Sequence, residues 1–441
     1  MSQALIIRNG RVIDPANGED SIRDIAIVNG KIADIASVDA NTAEVIDAEG
    51  CLVTPGWIDV HVHLRQPGLD YKETVATGTA AAAAGGFVAV ACMPNTNPAL
   101  DSPDVIKALA DDVEANGHSR VYPIATITKG RELKEDVDYD AVIEAGAIGW
   151  SDDGDTTPDS AIMRRALEAS KRLGKPVIVH CEDKAIAHAS MHEGEVSERL
   201  GISGIPAAAE EIIIARDCML AELTGGWLHV CHVSTGRGIE IIEEARRRGA
   251  HVTAEVMPHH LVMSDEWVAG NRELHNTIEP VVEQAEPADP NTKVNPPLRP
   301  VADTKKLLKA LQDGWFDCFG TDHAPHADSD KPADFEKAAM GMSGLEFAVP
   351  LTYALVRAGH ISDSELVKRW TIEPAKIIGI EEPSLTAGTV ANVTVIDPNR
   401  EWQVTPESLK TKSKNTALMG RTLRGRAVLT IVDGEVQHRA D

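Results

Sequence analysis

Residues 57–68, WIDVHVHLRQPG, place two histidines one residue apart at the end of an apolar run, then an arginine, then a turn. Strand side chains alternate faces with period two. That period assigns Trp57, Asp59, His61 and His63 to one face and Ile58, Val60 and Val62 to the other. If the strand belongs to a closed barrel, the first face points inward and the second toward helices. His61 and His63 then stand at the strand's carboxyl end, where barrel active sites form. A lone core histidine is unremarkable, but two on one face at a strand's end point to metal ligation.

Seven further apolar stretches follow: 85–94 (GGFVAVACMP), 120–128 (RVYPIATIT), 145–153 (AGAIGWSDD), 175–183 (KPVIVHCED), 226–234 (GWLHVCHVS), 250–260 (AHVTAEVMPHH) and 315–325 (WFDCFGTDHAP). Helical patterns separate them, such as SAIMRRALEASKRLG at 160–174 and AAEEIIIARDCMLAEL at 208–223. Eight strand–helix units predict an α/β fold, a (β/α)₈ TIM barrel over residues 54–380. A doubly wound open sheet is the competing reading, but no Gly-x-Gly-x-x-Gly opens a helix. The two ends differ from the middle. ALIIRNGRVID (4–14), DIAIVNGKIADIA (24–36), GTVANVTVID (388–397) and AVLTIVDGEVQ (427–437) are short β-rich runs, three of them carrying Asn-Gly or Asp-Gly as hairpin signals. Residues 1–53 and 381–441 are therefore expected to form one small β-sandwich from both termini. The acidic, Pro-containing stretch 264–292 has weak periodicity and is expected to be a long loop.

Composition narrows the function. The 441 residues carry a formal charge of −25, with 43% hydrophobic and 25% charged residues, ordinary for a globular protein apart from the acidity. Such acidity argues against nucleic acid or an anionic membrane as partner, though local cations can still bind an anionic substrate. No signal peptide and no membrane-spanning run is recognisable. The six cysteines form no C-x-x-C pair, so reduced core thiols and a cytoplasmic location are expected.

Polar residues recur at the predicted strand ends: His180, His232, Asp152 and Asp153, and Asp322 join His61 and His63. Converging so many polar groups on one rim is costly unless a cation repays it. Mixed imidazole and carboxylate donors favour zinc or another divalent first-row metal. Four His and at least two Asp exceed one tetrahedral site, so two ions bridged by a carboxylate are expected. Alternation turns Cys181, Cys231 and His229 away from that rim. His323 and His326 lie past their strand's end, and His259 and His260 have no evident role.

Taken together, DVHVHLRQPG, MPNTNP, WSDDG, HCED, HEGEVSERLG, HVSTGRG, KVNPPLR and GTDHAPH resemble the dihydroorotases, in the larger bacterial type of the amidohydrolase superfamily. The resemblance implies a zinc-dependent cyclic amide hydrolase of de novo pyrimidine (UMP) biosynthesis. Its substrates would be the small molecules N-carbamoyl-L-aspartate and L-dihydroorotate, its nucleophile a zinc-bound hydroxide. It also implies that His61, His63 and Asp322 hold one Zn2+, that His180 and His232 hold a second, and that Asp153 bridges. Hydantoinases bridge with a carbamylated lysine, and AGAIGWSDDG contains none. Asp322 would shuttle the proton. Arg65 and Asn95, helped by His326, would grip the ring carboxylate; His63 and Asn295 would also contact substrate. Met340 and Gly341 stand where the family usually has Phe-Gly. The family further implies a homodimer and allows association with aspartate transcarbamoylase. Alternatives are an allantoinase- or hydantoinase-like enzyme, or a non-catalytic dihydroorotase-like partner of aspartate transcarbamoylase. For Arg65, the competing reading is a surface salt bridge.

Overall fold

The structure is a computed structural model that describes residues 4–281 and 284–440. Its centre is a closed ring of parallel pairings. Strands Trp57–Val62, Phe87–Cys92 and Arg120–Pro123 form one run, and Val177–Val179, Leu228–Val230, Val252–Val256 and Cys318–Phe319 form another. Trp150 joins them, bridging Ala125 on one side and Val177 on the other. The ring closes where Val62 bridges His323 and the His63 amide donates to the His323 carbonyl at 2.9 Å. All eight positions fall within the stretches marked out by the sequence, and the chain is a (β/α)₈ barrel. Their apolar character on both faces follows from burial between the barrel interior and its helices. Among the described residues, no helix is long and apolar enough to cross a membrane.

Simple alternation fails along the first strand. Its pairing with Phe87–Cys92 slips between Trp57 and Ile58 and again between Asp59 and Val62. Such bulges insert a residue and re-aim the side chains beyond it. Trp57 consequently stacks on Trp370 of the helix Asp363–Trp370, ring centroids 5.5 Å apart, and so faces the helices. Ile58 and Val60 pack instead with Ile124, Ile148, Ile178, Cys231 and Cys318, all from other barrel segments. Asp59 is spent on closure: it accepts from Thr321 Oγ1 at 2.5 Å and from the Thr321 and His61 amides at 3.2 and 3.0 Å. Burial pushes its carboxyl up to about 7 despite those bonds. The second slip returns His61 and His63 to the ring's centre, so the expected destination is reached by a different backbone route.

Both chain ends build one β unit. A six-stranded sheet runs in the order Glu435–Arg439, Thr422–Val432, Val393–Gln403, Leu52–Pro55, Arg11–Asp14, Glu19–Ile22. A four-stranded sheet runs Lys31–Ala33, Ile25–Val28, Leu5–Arg8, Glu44–Asp47. Ile7, Ile27, Val53, Val393 and Ile431 share the core between them. Asn29-Gly30 and Asp433-Gly434 have positive φ at both residues, the requirement of a two-residue I′ turn. Asn9-Gly10 does not make the expected hairpin. Only Asn9 has positive φ, and the strands flanking the pair lie in different sheets. Gly10 packs so closely that a Cβ there would meet Val53 Cγ2 at 2.4 Å.

Two irregular segments reach the barrel mouth. The 264–292 loop, of which residues 282 and 283 lie outside the described residues, is anchored by fully buried Trp267, with the Arg272 and Arg421 guanidinium groups over its ring. The 409–416 segment returns from the β unit. The Lys412 amide donates to Glu73 at 3.1 Å and Ser413 Oγ to the Lys72 carbonyl at 2.5 Å.

Candidate metal centre and active site

The strand ends deliver a tight cluster around Asp153. Its Oδ1 lies 3.7 Å from His61 Nε2, 3.7 Å from His180 Nδ1 and 3.6 Å from His232 Nε2, and its Oδ2 lies 3.4 Å from His63 Nε2. Asp322 Oδ1 is 3.1 Å from His63 Nε2 and 3.6 Å from His61 Nε2. His180 Nδ1 and His232 Nε2 are 2.9 Å apart. His232 and Asp322 lie just beyond their strands and have positive φ, 33° and 47°. Backbone strain of that kind in non-glycine residues concentrates at functional sites.

The donors fit a bound divalent cation. His61, His63 and Asp322 bring one ligand atom each within 4.8 Å of one another, and so do His61, Asp153 and His232. His61 Nε2 and Asp153 Oδ1 are buried and have no hydrogen-bond partner, whereas buried polar atoms are normally satisfied. Burial would raise Asp153, but the imidazoles of His61, His232 and His63 hold its carboxyl well below the usual range. Burial would equally depress His61; Glu255 above all, then Cys231 and Asp153, overrule it and raise its pKa. Two buried carboxylates, Asp153 and Asp322, thus face buried imidazole nitrogens at 3.1–3.7 Å, negative charge that a bound metal ion would answer.

Carboxylates behind the histidines set their tautomers. Glu255 Oε1 lies 2.5 Å from His61 Nδ1, which leaves Nε2 facing Asp153. It also accepts the His232 amide at 3.2 Å. Glu182 Oε2 lies 3.4 Å from His180 Nε2, which leaves Nδ1 facing Asp153. Asn95 Oδ1 does the same for His63, 2.9 Å from its Nδ1. Partners of this kind usually matter about 10–100-fold in metal affinity. Glu255→Gln is accordingly expected to weaken metal binding by about that factor. The check is a competition titration with a chromophoric chelator; affinity within twofold of wild type would contradict it.

Glu255 and Glu182 were not among the residues singled out from the sequence. The signal for Glu255 was a single charge inside the apolar run VTAEV, which a buried strand tolerates only if the charge is used. Two other expectations are reversed. Cys231 and His229 point into the barrel: Cys231 joins the interior cluster, and His229 Nε2 lies 3.4 Å from Glu255 Oε2. The regular strand ends at Val230, and the left-handed turn at His232 brings its ring back to the same side. Cys181 packs in the cluster shared with the helices, as alternation implied.

Asp152 is not at the metal cluster. It accepts the Ile127 and Thr128 amides at 3.1 and 3.2 Å and the hydroxyls of Thr128 and Thr157, a loop-tying role. His323 accepts the Gly344 amide at 3.1 Å and lies 3.5 Å from Glu73. His260 Nε2 lies 3.0 Å from the Pro296 carbonyl; His259 is buried beside it, ring centroids 4.4 Å apart.

A cavity of about 260 Å³ opens onto the cluster, lined also by Arg65, Asn95, Asn295, His326, Met340 and Gly341. Arg65 has a left-handed backbone, φ 63°, and its side chain is buried. Its Nε donates to the Pro325 carbonyl at 3.2 Å, and among the described residues no carboxylate pairs with it. Burial pushes it down to about 10, so it stays cationic at neutral pH. His326 Nε2 is 3.4 Å from Arg65 Nη2 and donates to the Met340 carbonyl at 3.0 Å, while Lys72 Nζ approaches Nδ1 at 3.3 Å. Burial, then Arg65 and Lys72, keep His326 neutral by lowering its pKa. Asn295 Nδ2 is held by Glu182 at 3.2 Å. Gly341 has φ 131°, and a Cβ there would sit 2.7 Å from Ala324 Cβ, so glycine is required.

Residues 50–237 match the Dihydro-orotase-like family. The chain is 43% identical over 436 residues to the dihydroorotase of Aquifex aeolicus, covering 99% of both chains. It is 45% identical over 435 residues to that of Pelotomaculum thermopropionicum, covering 98% of both. Among solved structures it superposes on the L-hydantoinase (dihydropyrimidinase) of Arthrobacter aurescens with a TM-score of 0.83 at 24% identity, covering 100% of this chain and 96% of that one. That likeness speaks for the fold alone. The full-length sequence matches decide the family: this chain belongs to the dihydroorotases.

Proposed function

We propose that the chain interconverts N-carbamoyl-L-aspartate and L-dihydroorotate, the cyclisation step of pyrimidine biosynthesis, with Zn2+ as its metal and two ions per chain. The observation that carries this reading is a buried, unpaired Arg65 on the same cavity as the Asp153 cluster. A neutral cyclic amide offers a buried guanidinium only uncharged carbonyl acceptors, whereas a ring carboxylate gives it the charged, forked partner it lacks. For the same reason the hydantoinase- or allantoinase-like alternative is disfavoured.

His61, His63 and Asp322 would hold one ion, His180 and His232 the other, with Asp153 between them. A cation there polarises a carbonyl and acidifies water. The remaining chemistry belongs to the side chains. Arg65 and the Nδ2 end of Asn95 bind the ring carboxylate, with the His326 ring beside them on the same cavity wall. In hydrolysis, water's oxygen bonds to the ring carbonyl carbon while an Asp322 carboxylate oxygen takes a proton from it. When the ring carbon–nitrogen bond breaks, Asp322 hands that proton to the departing nitrogen. Cyclisation runs the same transfers backward and releases the water.

The test is an assay of purified protein on dihydroorotate, carbamoyl aspartate, hydantoin and allantoin, with a chelator and after zinc is restored. Activity on the first two alone, lost with chelator and regained with zinc, is the expected result. Turnover of hydantoin or allantoin in preference would overturn it.

A further inference from the structure

Asn415 lies far from the metal ligands in sequence and belongs to the segment returning from the terminal β unit, yet it is buried behind the substrate cavity. Its side-chain amide is used to capacity. Nδ2 donates to the Ala324 carbonyl and the Gly341 carbonyl, both at 3.1 Å. Oδ1 accepts the His326 amide at 2.9 Å and, at 3.2 Å, the Ser343 hydroxyl, which it shares with the Ser413 carbonyl at 3.1 Å. Its own carbonyl accepts the Ser343 amide at 2.9 Å. One side chain thus holds two segments, 324–326 and 340–343, and these carry His326 and Met340–Gly341 on the cavity wall. The two donors and two acceptors of an amide are the full complement such a group offers. No other residue type places donors and acceptors in that arrangement at that size.

We propose that Asn415 is a positioning residue for the reaction: it fixes the separation of the His326 loop and the Gly341 loop, and so sets the width of the subsite that receives the ring beside Arg65. His61 and His180 are braced independently, by Glu255 and Glu182 on other segments, and the strand end carrying Asp322 is held by the Thr321–Asp59 bond and by the His63 amide on the His323 carbonyl. Disturbing Asn415 should therefore loosen substrate binding and spare the metal. The inference rests on the dihydroorotase reading. The two fail separately, because wild-type turnover tests that reading and the variant's ratio of KM to kcat tests this one.

The experiment compares Asn415→Asp with wild type in metal-replete protein, measuring KM and kcat for dihydroorotate, metal content and Tm. Aspartate keeps the shape but turns the two donors into an oxygen facing two carbonyls. Expected are a KM raised at least tenfold, a kcat within threefold and an unchanged metal content. Ser343→Ala removes one of the four side-chain bonds, together with that hydroxyl's bond to the Ser413 carbonyl, and serves if the aspartate variant does not fold; its KM should rise two- to fivefold. A lowered Tm with KM unchanged, or equal loss of kcat and metal, would overturn the proposal. So would an unchanged KM in Ser343→Ala.

Discussion

Asp322→Asn is expected to lower kcat by about 10³ in both directions, in the middle of the range for a lost general acid–base group. Asparagine preserves the size of the side chain and can still accept a hydrogen bond at one oxygen, so His63, 3.1 Å from Asp322 Oδ1, keeps a neighbour. What vanishes is a carboxylate able to take and return a proton. Burial alone would raise Asp322, but the bond from His63 and the charges of His61, His63 and His232 hold it well below the usual carboxylate range. It is therefore ionised before substrate arrives, the state that hydrolysis needs. The variant also loses a ligand charge, so metal content must be measured beside kcat. A loss of less than tenfold in metal-replete protein would remove Asp322 from the proton-transfer role.

Arg65→Ala should act on the other term. A hydrogen bond to a charged group is worth about 1.5–3 kcal/mol, and each 1.4 kcal/mol is tenfold. KM for dihydroorotate is expected to rise by about 10–100-fold, with metal content unchanged. Arg65→Lys should recover only part of this, since an ammonium keeps the charge but not the fork. The fold should not suffer. A buried guanidinium lacking a carboxylate partner is a cost to the free protein, so the melting temperature should stay level or rise. Unchanged KM and kcat in Arg65→Ala would defeat the assignment of an anionic substrate to this cavity.

What the sequence made legible depended on period and punctuation. The barrel followed from eight apolar runs alternating with helical patterns, because burial on both faces leaves a composition that a single chain displays directly. Strand-end residues such as His180 and Asp322 were legible for a related reason: polar groups terminating apolar runs have few other uses. Faces were less legible. Bulges at Trp57/Ile58 and Asp59/Val62 leave no mark in composition, so Trp57 went to the wrong side. His229 and Cys231 were misassigned because the turn at His232 depends on a positive φ that the residue type does not announce. Glu255 and Asn415 escaped because each acts on residues distant in sequence; Glu182 lies only two residues from His180, but nothing in HCED announces that its carboxylate turns back onto that ring. Asn9-Gly10 misled because the dipeptide allows a tight turn without demanding one.

The six-stranded sheet has a consequence for synthesis. Thr54 Oγ1 donates to the Thr394 carbonyl, a contact spanning 340 residues. At about 5–20 residues per second, a ribosome needs roughly 20 s or longer to supply that partner. Through that interval the emerging chain presents Leu52–Pro55 with one flank unpaired, an open template for a neighbouring polypeptide. Rapid translation should therefore favour recovery of native protein, and crowded polysomes should lower it.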